Sequence, residues 1–169
     1  MFLTVNDINN MTMKTNISFV LVFFFIFIGS LKGQKLSGQQ KAKAEAEVGA
    51  IFKNMVKLGE ALDYDALSKG VDDQNHAGFI VNNGFYAKYD SLTNLLKGRA
   101  GGVLKQTIVF QKQKFTAITE DVVLVTANGD STVELMNGTQ IPLKFYWTFV
   151  YQKIDGQWKV VQSHQSGSR

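Results

Sequence analysis

Residues 148–167 constrain the fold of this chain more than any other segment. An aromatic run, Thr-Phe-Val-Tyr-Gln-Lys-Ile, is followed by Asp155-Gly156 and then by Gln-Trp-Lys-Val-Val-Gln-Ser-His. Large side chains that recur at every second residue are typical of a strand with one buried face. Asp-Gly between two such runs favours a two-residue hairpin turn. The segment therefore predicts a β-hairpin with a wide aromatic strand and a second strand that ends near His164.

A two-residue turn also fixes which residues of this hairpin lie opposite each other. Counting back from the turn, the residues predicted to share one face form opposed pairs: Tyr151 with Val160, Phe149 with Gln162, and Trp147 with His164. We expect this face to look into the domain. A slip of one residue would move the paired side chains to the other face of the sheet.

The segment before the hairpin predicts helices first. Apolar residues between 41 and 61 recur at helical spacing, which indicates an amphipathic helix. A short second helix follows in 62–67, with Asp63 or Asp65 as its cap. A third helix begins after Asp90 or Ser91, each of which is a plausible N-cap, and ends at the glycines near residue 100.

Strands account for the rest of the chain. A short hairpin is expected before the third helix, with strands at 77–81 and 85–89 around a turn at 82–84. After that helix the sequence predicts strands at 103–119, 122–127, 132–136, 141–154 and 158–166, with turns at 128–130 and at Asn137-Gly138. Helices followed by a run of antiparallel strands predict an α+β domain with helices on one face of a curved sheet.

The first 33 residues have the pattern of a secretory signal peptide. Residues 17–28 are almost wholly apolar, follow the basic residue Lys14, and precede small residues up to Gly33. Met13 is the expected start, with cleavage near Gly33. This predicts an exported protein, periplasmic or extracellular, with no stable membrane span after cleavage. An uncleaved anchor is the alternative, although the apolar run is shorter than the roughly 20 residues that a span needs.

Composition excludes several other classes of protein. The chain has 169 residues and no cysteine, which excludes a lipid-anchored lipoprotein and a disulfide scaffold. A leader at 34–42 and one domain at 43–169 account for the mature length. Without Lys14, Lys32 and Asp7 the net charge falls from +4 to +3, and the lysines are scattered. Because no basic stripe interleaved with aromatic residues is present, we expect no nucleic-acid partner.

The helix order and the closing hairpin together resemble the nuclear transport factor 2-like (NTF2-like) superfamily, and its SnoaL-like branch most closely. The resemblance is carried by Leu-Asp-Tyr-Asp-Ala-Leu at 62–67 and by the segment from Phe149 to Ser166 with its Trp-Lys-Val-Val and His-Gln-Ser. It covers about residues 44–167. It implies a cone-shaped domain, the ketosteroid isomerase-like fold, in which three N-terminal helices pack on a strongly curved antiparallel sheet around a pocket. It also implies a homodimer.

The candidate site follows from the expected inner face of the hairpin. An apolar wall with a few polar groups suits a small, mostly apolar or aromatic molecule. We expect the pocket residues Trp147, Phe149, Gln162, Tyr86, Tyr89 and Phe79, with His164 as a possible acid or base. For each aromatic residue alone, filling the core is the simpler role.

Three functions fit these residues. The first is an exported domain that binds a small apolar molecule; the second is an isomerase, dehydratase or cyclase that uses His164. The third is a dimeric interaction module without catalysis. The strands carry few acidic residues, so the carboxylate chemistry of an isomerase pocket has no clear counterpart. We expect no cofactor and no metal, since His76 with Asp72 and Asp73 matches no known metal-binding spacing.

Overall fold

A computed structural model describes residues 35–168. The predicted signal peptide and its cleavage point lie outside these residues. The described helices are α1 (Gly38–Glu60), α2 (Tyr64–Ser68) and α3 (Tyr89–Ala100). The described strands are β1 (Phe79–Val81), β2 (Gly84–Tyr86), β3 (Val103–Thr119), β4 (Val122–Leu135), β5 (Gln140–Ile154) and β6 (Gln157–Ser168).

Helix α1 starts at a capping box that the sequence analysis did not use. The Ser37 hydroxyl accepts from the Gln40 backbone N–H, and the Gln40 side chain accepts from the Ser37 N–H. Because these two bonds satisfy backbone donors of the first turn, the helix begins three residues before the predicted start at 41. The predicted apolar stripe is present, with Val48 and Phe52 fully buried.

Each of the two shorter helices has an aspartate that accepts from a backbone N–H of its first turn. Asp63 accepts from the Ala66 N–H at 2.9 Å and caps α2, as one of the two predicted alternatives had it. Helix α3 begins at Tyr89, whose N–H donates to Asp73 Oδ1 at 2.7 Å. The prediction of Asp90 or Ser91 as the cap is therefore wrong. The N-cap residue is Lys88, whose side chain makes no capping bond. The Asp73 bond comes from a loop sixteen residues earlier, which local sequence rules do not detect.

The six strands form one curved, unclosed sheet in the order β2-β1-β6-β5-β4-β3. All neighbouring strands are antiparallel except β1 and β6, which run parallel. Helix α1 packs along β3. The α+β fold class with helices packed on a curved sheet is confirmed. The prediction was incomplete in two respects: the sheet contains a parallel pair, and α2 has only five residues.

Gly129 lies within β4 and not in the turn that was predicted at 128–130. Strand β4 runs unbroken from Val122 to Leu135. A Cβ atom at Gly129 would overlap the Val109 carbonyl oxygen and would lie 2.9 Å from Phe145 Cζ. The ladder between β3 and β4 shifts register beside it, between Phe110 and Lys112. Glycine is needed here because another backbone approaches closely, which is a second common role of glycine in strands.

The closing hairpin confirms the predicted turn and departs from the predicted register at one point. Asp155 and Gly156 both have positive φ, 49° and 76°, and Ile154 pairs with Gln157. The pairing of Tyr151 with Val160 is also as predicted. Beyond it, Val161 is an extra residue, a β-bulge, because the next pair joins Val150 to Gln162.

The bulge at Val161 reverses the faces of the rest of β6. Trp147 lies opposite Gln165, and Phe149 lies opposite Ser163. The predicted pairs Phe149 with Gln162 and Trp147 with His164 are therefore wrong. The Val161 carbonyl of the bulge accepts from the Ala77 N–H at 2.9 Å, so the loop before β1 satisfies this backbone group.

The outer edge of β3 is bonded at two points by carboxylates of α1. Glu45 Oε1 accepts from the Ala117 N–H at 3.0 Å, and Glu60 Oε1 accepts from the Ile108 N–H at 2.8 Å. At the turn end of the closing hairpin, Glu47 Oε2 accepts from Trp158 Nε1 at 2.8 Å and from Lys153 Nζ at 3.2 Å. These two donors hold the pKa of Glu47 below its usual value. Three carboxylates thus position α1 across the sheet.

A cluster of phenylalanines contains two buried core residues and two partly buried residues that pack against them. The Phe52 ring contacts Phe110, Phe115 and Phe149 at centroid distances of 5.6, 5.7 and 5.6 Å. We call these four residues the phenylalanine cluster. Tilted and edge-on ring contacts at this range add to the stabilisation from burial.

In residues 35–168 no helix is long and apolar enough to cross a membrane.

Candidate functional site

A cavity of about 370 Å³ lies between the helices and the inner face of the sheet. Its wall draws on all three helices, on the segment that follows α2, and on strands β3, β5 and β6. The cavity lies next to the core, because Phe149 belongs both to its wall and to the phenylalanine cluster. The volume is in the range of sites that hold small organic molecules.

Two apolar surfaces, from α1 and from β5, form part of the wall. Helix α1 contributes Ile51, Met55 and Leu58, which lie at helical spacing beside the buried row of Val48 and Phe52. The helix therefore uses one side of its apolar stripe for the core and the adjacent side for the cavity. Strand β5 contributes two aromatic rings from its inner face, Trp147 and Phe149, whose centroids are 6.1 Å apart.

Three tyrosines, from α2, α3 and β5, line the cavity. We call Tyr64, Tyr89 and Tyr151 the tyrosine wall. Burial raises the pKa of Tyr89 to about 12, with the nearby Tyr64 adding to the effect. Burial also raises the pKa of Tyr64, and burial followed by the proximity of Tyr89 raises that of Tyr151. All three phenols are neutral at physiological pH and can donate hydrogen bonds.

Strand β6 contributes two polar side chains to the same wall. Ser163 is 1% exposed, and its Oγ accepts from Gln165 Nε2 at 3.2 Å. Both residues line the cavity because the Val161 bulge turns them inward. Gln106 of β3 adds a further amide. With Asn54 of α1 and the exposed Lys69, the polar groups of the wall are phenols, amides, a hydroxyl and one ammonium group.

The wall lacks the groups that catalyse proton transfer in many enzymes. Among the described residues, no aspartate, glutamate or histidine lines the cavity. Lys69 lines it but is exposed, and its backbone carbonyl accepts from Lys159 Nζ at 2.6 Å. A carboxylate or imidazole base within reach of a bound molecule is therefore not provided by these walls.

The structure brings three of the seven sequence-predicted site residues into the cavity wall: Trp147, Phe149 and Tyr89. Phe79 is fully buried outside the wall, where its ring contacts Tyr89 at a centroid distance of 5.1 Å. Tyr86 is partly buried against the core in the β2 edge strand and does not line the cavity.

The other two predicted residues, Gln162 and His164, lie on the outer face of the sheet. His164 is exposed and pairs with Thr148 on one side and Ile80 on the other. Their expected inward orientation is wrong because the bulge at Val161 shifts the alternation by one residue. His164 has no access to the cavity from this position.

The second histidine also lies outside the cavity. His76 Nδ1 accepts from the Gly78 N–H at 3.1 Å, and His76 Nε2 lies 3.5 Å from Asp73 Oδ1. Asp72 instead accepts from the N–H groups of Gln74 and Asn75. An ordinary turn explains these two bonds. Within residues 35–168 no group of three or more histidine or acidic side chains could hold a metal ion.

Most wall residues were not among the sequence-predicted site residues, and they include Tyr64, Tyr151, Ser163 and Gln165. For Tyr151 the signal was present, since alternation along β5 already places it on the face of Phe149. Tyr64 lies in the Leu-Asp-Tyr-Asp-Ala-Leu segment, which was used as a helix signal and for the family resemblance but not to predict the site. Ser163 and Gln165 carried no signal, because a bulge within Lys-Val-Val-Gln has no local marker.

Comparison with known families agrees with this architecture. A family model described as a SnoaL-like domain matches residues 48–168, which is most of the chain. The match spans α1 to β6 and so includes every element that lines the cavity. No curated protein matches the chain.

Solved structures share the fold at low sequence identity. An NTF2-like superfamily protein from Salmonella enterica has a TM-score of 0.65 at 16% identity, with coverage of 76% of this chain and 93% of that one. The hexachlorocyclohexane dehydrochlorinase LinA-type3 from Novosphingobium barchaimii has a TM-score of 0.63 at 15% identity, with 78% and 90% covered. An NTF2-like protein of unknown function from Pseudomonas putida has a TM-score of 0.63 at 14% identity, with 74% and 87% covered.

Proposed function

The chain belongs to the SnoaL-like domain family of the NTF2-like superfamily, and from that premise we propose that it binds a small, mostly apolar molecule in its cavity. The observation that carries the proposal is an open cavity of about 370 Å³ with aliphatic and aromatic walls and a few neutral polar groups. Apolar walls supply affinity through burial, while a small number of polar groups fix the orientation of a ligand.

Stabilisation by ligands tests this proposal. A panel of fatty acids, steroids and aromatic acids would be added to the protein, and the midpoint of thermal unfolding would be measured. A ligand at 100 times its Kd stabilises the folded state by about 2.7 kcal/mol. For a domain of this size we expect that stabilisation to raise the Tm by roughly 5–10 °C.

Gly59→Leu and Gly98→Leu form a matched pair of variants for the same assay. Gly59 lines the cavity, and a Cβ atom there meets nothing within 4 Å, so leucine adds bulk to the wall without a clash. Gly98 has equal space but lies on α3 outside the wall. We expect Gly59→Leu to reduce the Tm increase and Gly98→Leu to retain it. Equal Tm increases for both variants would place binding elsewhere and contradict the proposal.

Catalysis is less well supported than binding. The LinA-type3 dehydrochlorinase shares the fold, but an enzyme that uses His164 would need that imidazole to reach the cavity. His164 is instead exposed on the outer face, and no carboxylate or imidazole among the described residues lines the wall. Binding without acid–base catalysis is the function that this geometry supports best.

We also propose that the domain acts after export and as a homodimer. Export rests on the signal-peptide pattern of residues 1–33. Mass spectrometry of the secreted protein should find an N-terminus near Gln34, and a retained Met13 would contradict export by cleavage.

The dimer rests on the outer sheet face, where Tyr146 is 52% exposed. Light scattering at micromolar concentration should give twice the mature mass, and a monomer would contradict it.

A further inference from the structure

From the polar groups of the cavity wall we infer that its ligand is uncharged and carries a carbonyl or similar acceptor oxygen that the Tyr151 hydroxyl binds. This inference rests on the proposed binding function and specifies its ligand class. It follows from three observations: the charge of the wall, the hydrogen bonding of Tyr151, and the pairing of the β6 side chains.

The charge of the wall favours a neutral ligand. In the part of the chain that the structure describes, the wall contains no acidic side chain that would neutralise a bound cation. Its one basic residue, Lys69, is exposed, so an anion inside the cavity would be desolvated without a charged partner. Burying an unpaired charge is far more costly than burying a carbonyl group that finds one hydrogen bond.

The Tyr151 hydroxyl is the polar group of the wall that gains most from a ligand. The side chain is 1% exposed, and its hydroxyl donates at 3.3 Å to the sulfur of Met55. A thioether is a weak acceptor, so this bond compensates only part of the loss of water. Both residues line the cavity, and methionine is flexible enough to move aside. A ligand oxygen that replaced the sulfur would give the phenol a stronger bond.

The remaining polar groups of the wall include a hydroxyl on β6 and other phenols. The Ser163 hydroxyl oxygen already accepts from Gln165, on the inner face of β6. Tyr89, which is near enough to contribute to the raised pKa of Tyr151, is a second neutral phenol in the wall. The Tyr151 hydroxyl can therefore orient one acceptor atom, while the apolar surfaces of α1 and β5 hold the body of the ligand.

Three probes of matched shape test the inference: 2-acetylnaphthalene, which is a neutral ketone, 2-ethylnaphthalene, which lacks the oxygen, and 2-naphthoate, which is an anion. Their Kd values at pH 7 would be measured by calorimetry. One added hydrogen bond predicts that the ketone binds about 5–10-fold more tightly than the hydrocarbon. The anion should bind more weakly than the ketone. Equal affinity for ketone and hydrocarbon, or a preference for the anion, would overturn the inference.

Two variants assign the preference to a residue. Tyr151→Phe removes only the hydroxyl, and we expect it to abolish the ketone preference while the Kd of 2-ethylnaphthalene stays within about twofold. Tyr146→Phe is the matched control on the outer face, and it should keep the preference. A preference that survives Tyr151→Phe would contradict the assignment.

A further variant, Met55→Leu, keeps the test valid if Tyr151→Phe does not fold. Met55→Leu removes the competing thioether at similar volume, and it should strengthen ketone binding relative to the hydrocarbon. No relative gain would count against the inference. The proposed function fails separately: if none of the three probes binds, the cavity is not a site for these molecules. If the hydrocarbon binds as well as the ketone, only the ligand class is wrong.

Discussion

The phenylalanine cluster and the tyrosine wall lie side by side along helix α1. The helix contributes a buried side chain to the cluster and borders the open space beside the wall. Phe52 of α1 is 1% exposed and contacts three other rings, whereas Met55, three residues further on, borders the open cavity. In the cluster, apolar rings contact each other directly. In the wall, phenols with raised pKa values surround a space that remains open. The contrast shows where this domain gains stability and where it retains room for a ligand.

The largest expected effect separates these two regions by stability. Phe52→Ala should lower the free energy of unfolding by about 3–5 kcal/mol, since it leaves a void among packed rings. Met55→Ala should cost less than about 2 kcal/mol, because its side chain already borders an open space. Urea denaturation of both variants measures the difference. Equal losses would mean that the cavity is packed as tightly as the cluster.

The second prediction concerns Gly129, beside the phenylalanine cluster. Gly129→Ala should cost about 1–3 kcal/mol or more, because the added methyl group meets the β3 backbone and the Phe145 ring. Gly98→Ala is the control in an open helical position, where alanine should stabilise by about 0.5–1 kcal/mol. A neutral effect at Gly129 would show that β3 can move away from β4 at little cost.

The third effect is a pH dependence that belongs to the tyrosine wall. Below pH 10 Tyr89 is protonated in both the folded and the unfolded chain, so it contributes no pH dependence. Between pH 10 and about 12 the unfolded chain loses the phenol proton first, which lowers the stability of the fold. The loss is about 1.4 kcal/mol per pH unit for this residue.

Tyr89→Phe should remove that part of the alkaline loss. Urea denaturation at pH 9, 10, 11 and 12 would be compared for the two proteins, with the pH 9 values as the internal reference. The variant should retain more of its stability at pH 12 than the unmodified chain. Superimposable pH profiles would indicate that Tyr89 is as accessible to water in the folded state as in the unfolded state.

Much of the fold was predictable from local sequence patterns. Helical spacing identified α1, the Asp155-Gly156 pair identified the last turn, and the strand boundaries of β3 and β6 were close to those observed. These features depend on neighbours in the sequence. The family resemblance is likewise confirmed by the match to residues 48–168.

The candidate site was less predictable because it depends on contacts between distant segments. The bulge at Val161 accompanies a change of partner along β6, from Val71 to β1, and nothing near Val161 marks it. That one extra residue exchanged Gln162 and His164 for Ser163 and Gln165 as wall residues. Gly129 was misinterpreted for a similar reason, since only the approach of β3 explains a glycine within a strand.

The two carboxylates on the edge of β3 have a consequence for how the molecule behaves at high concentration. An open sheet offers unpaired backbone groups to any extended chain that approaches it, which is a common start of aggregation. Glu45 and Glu60 already accept from the Ala117 and Ile108 N–H groups. A strand from another molecule would have to displace both charged acceptors before it could pair along β3. The helix that bounds the cavity thus also discourages this sheet from growing into a fibre.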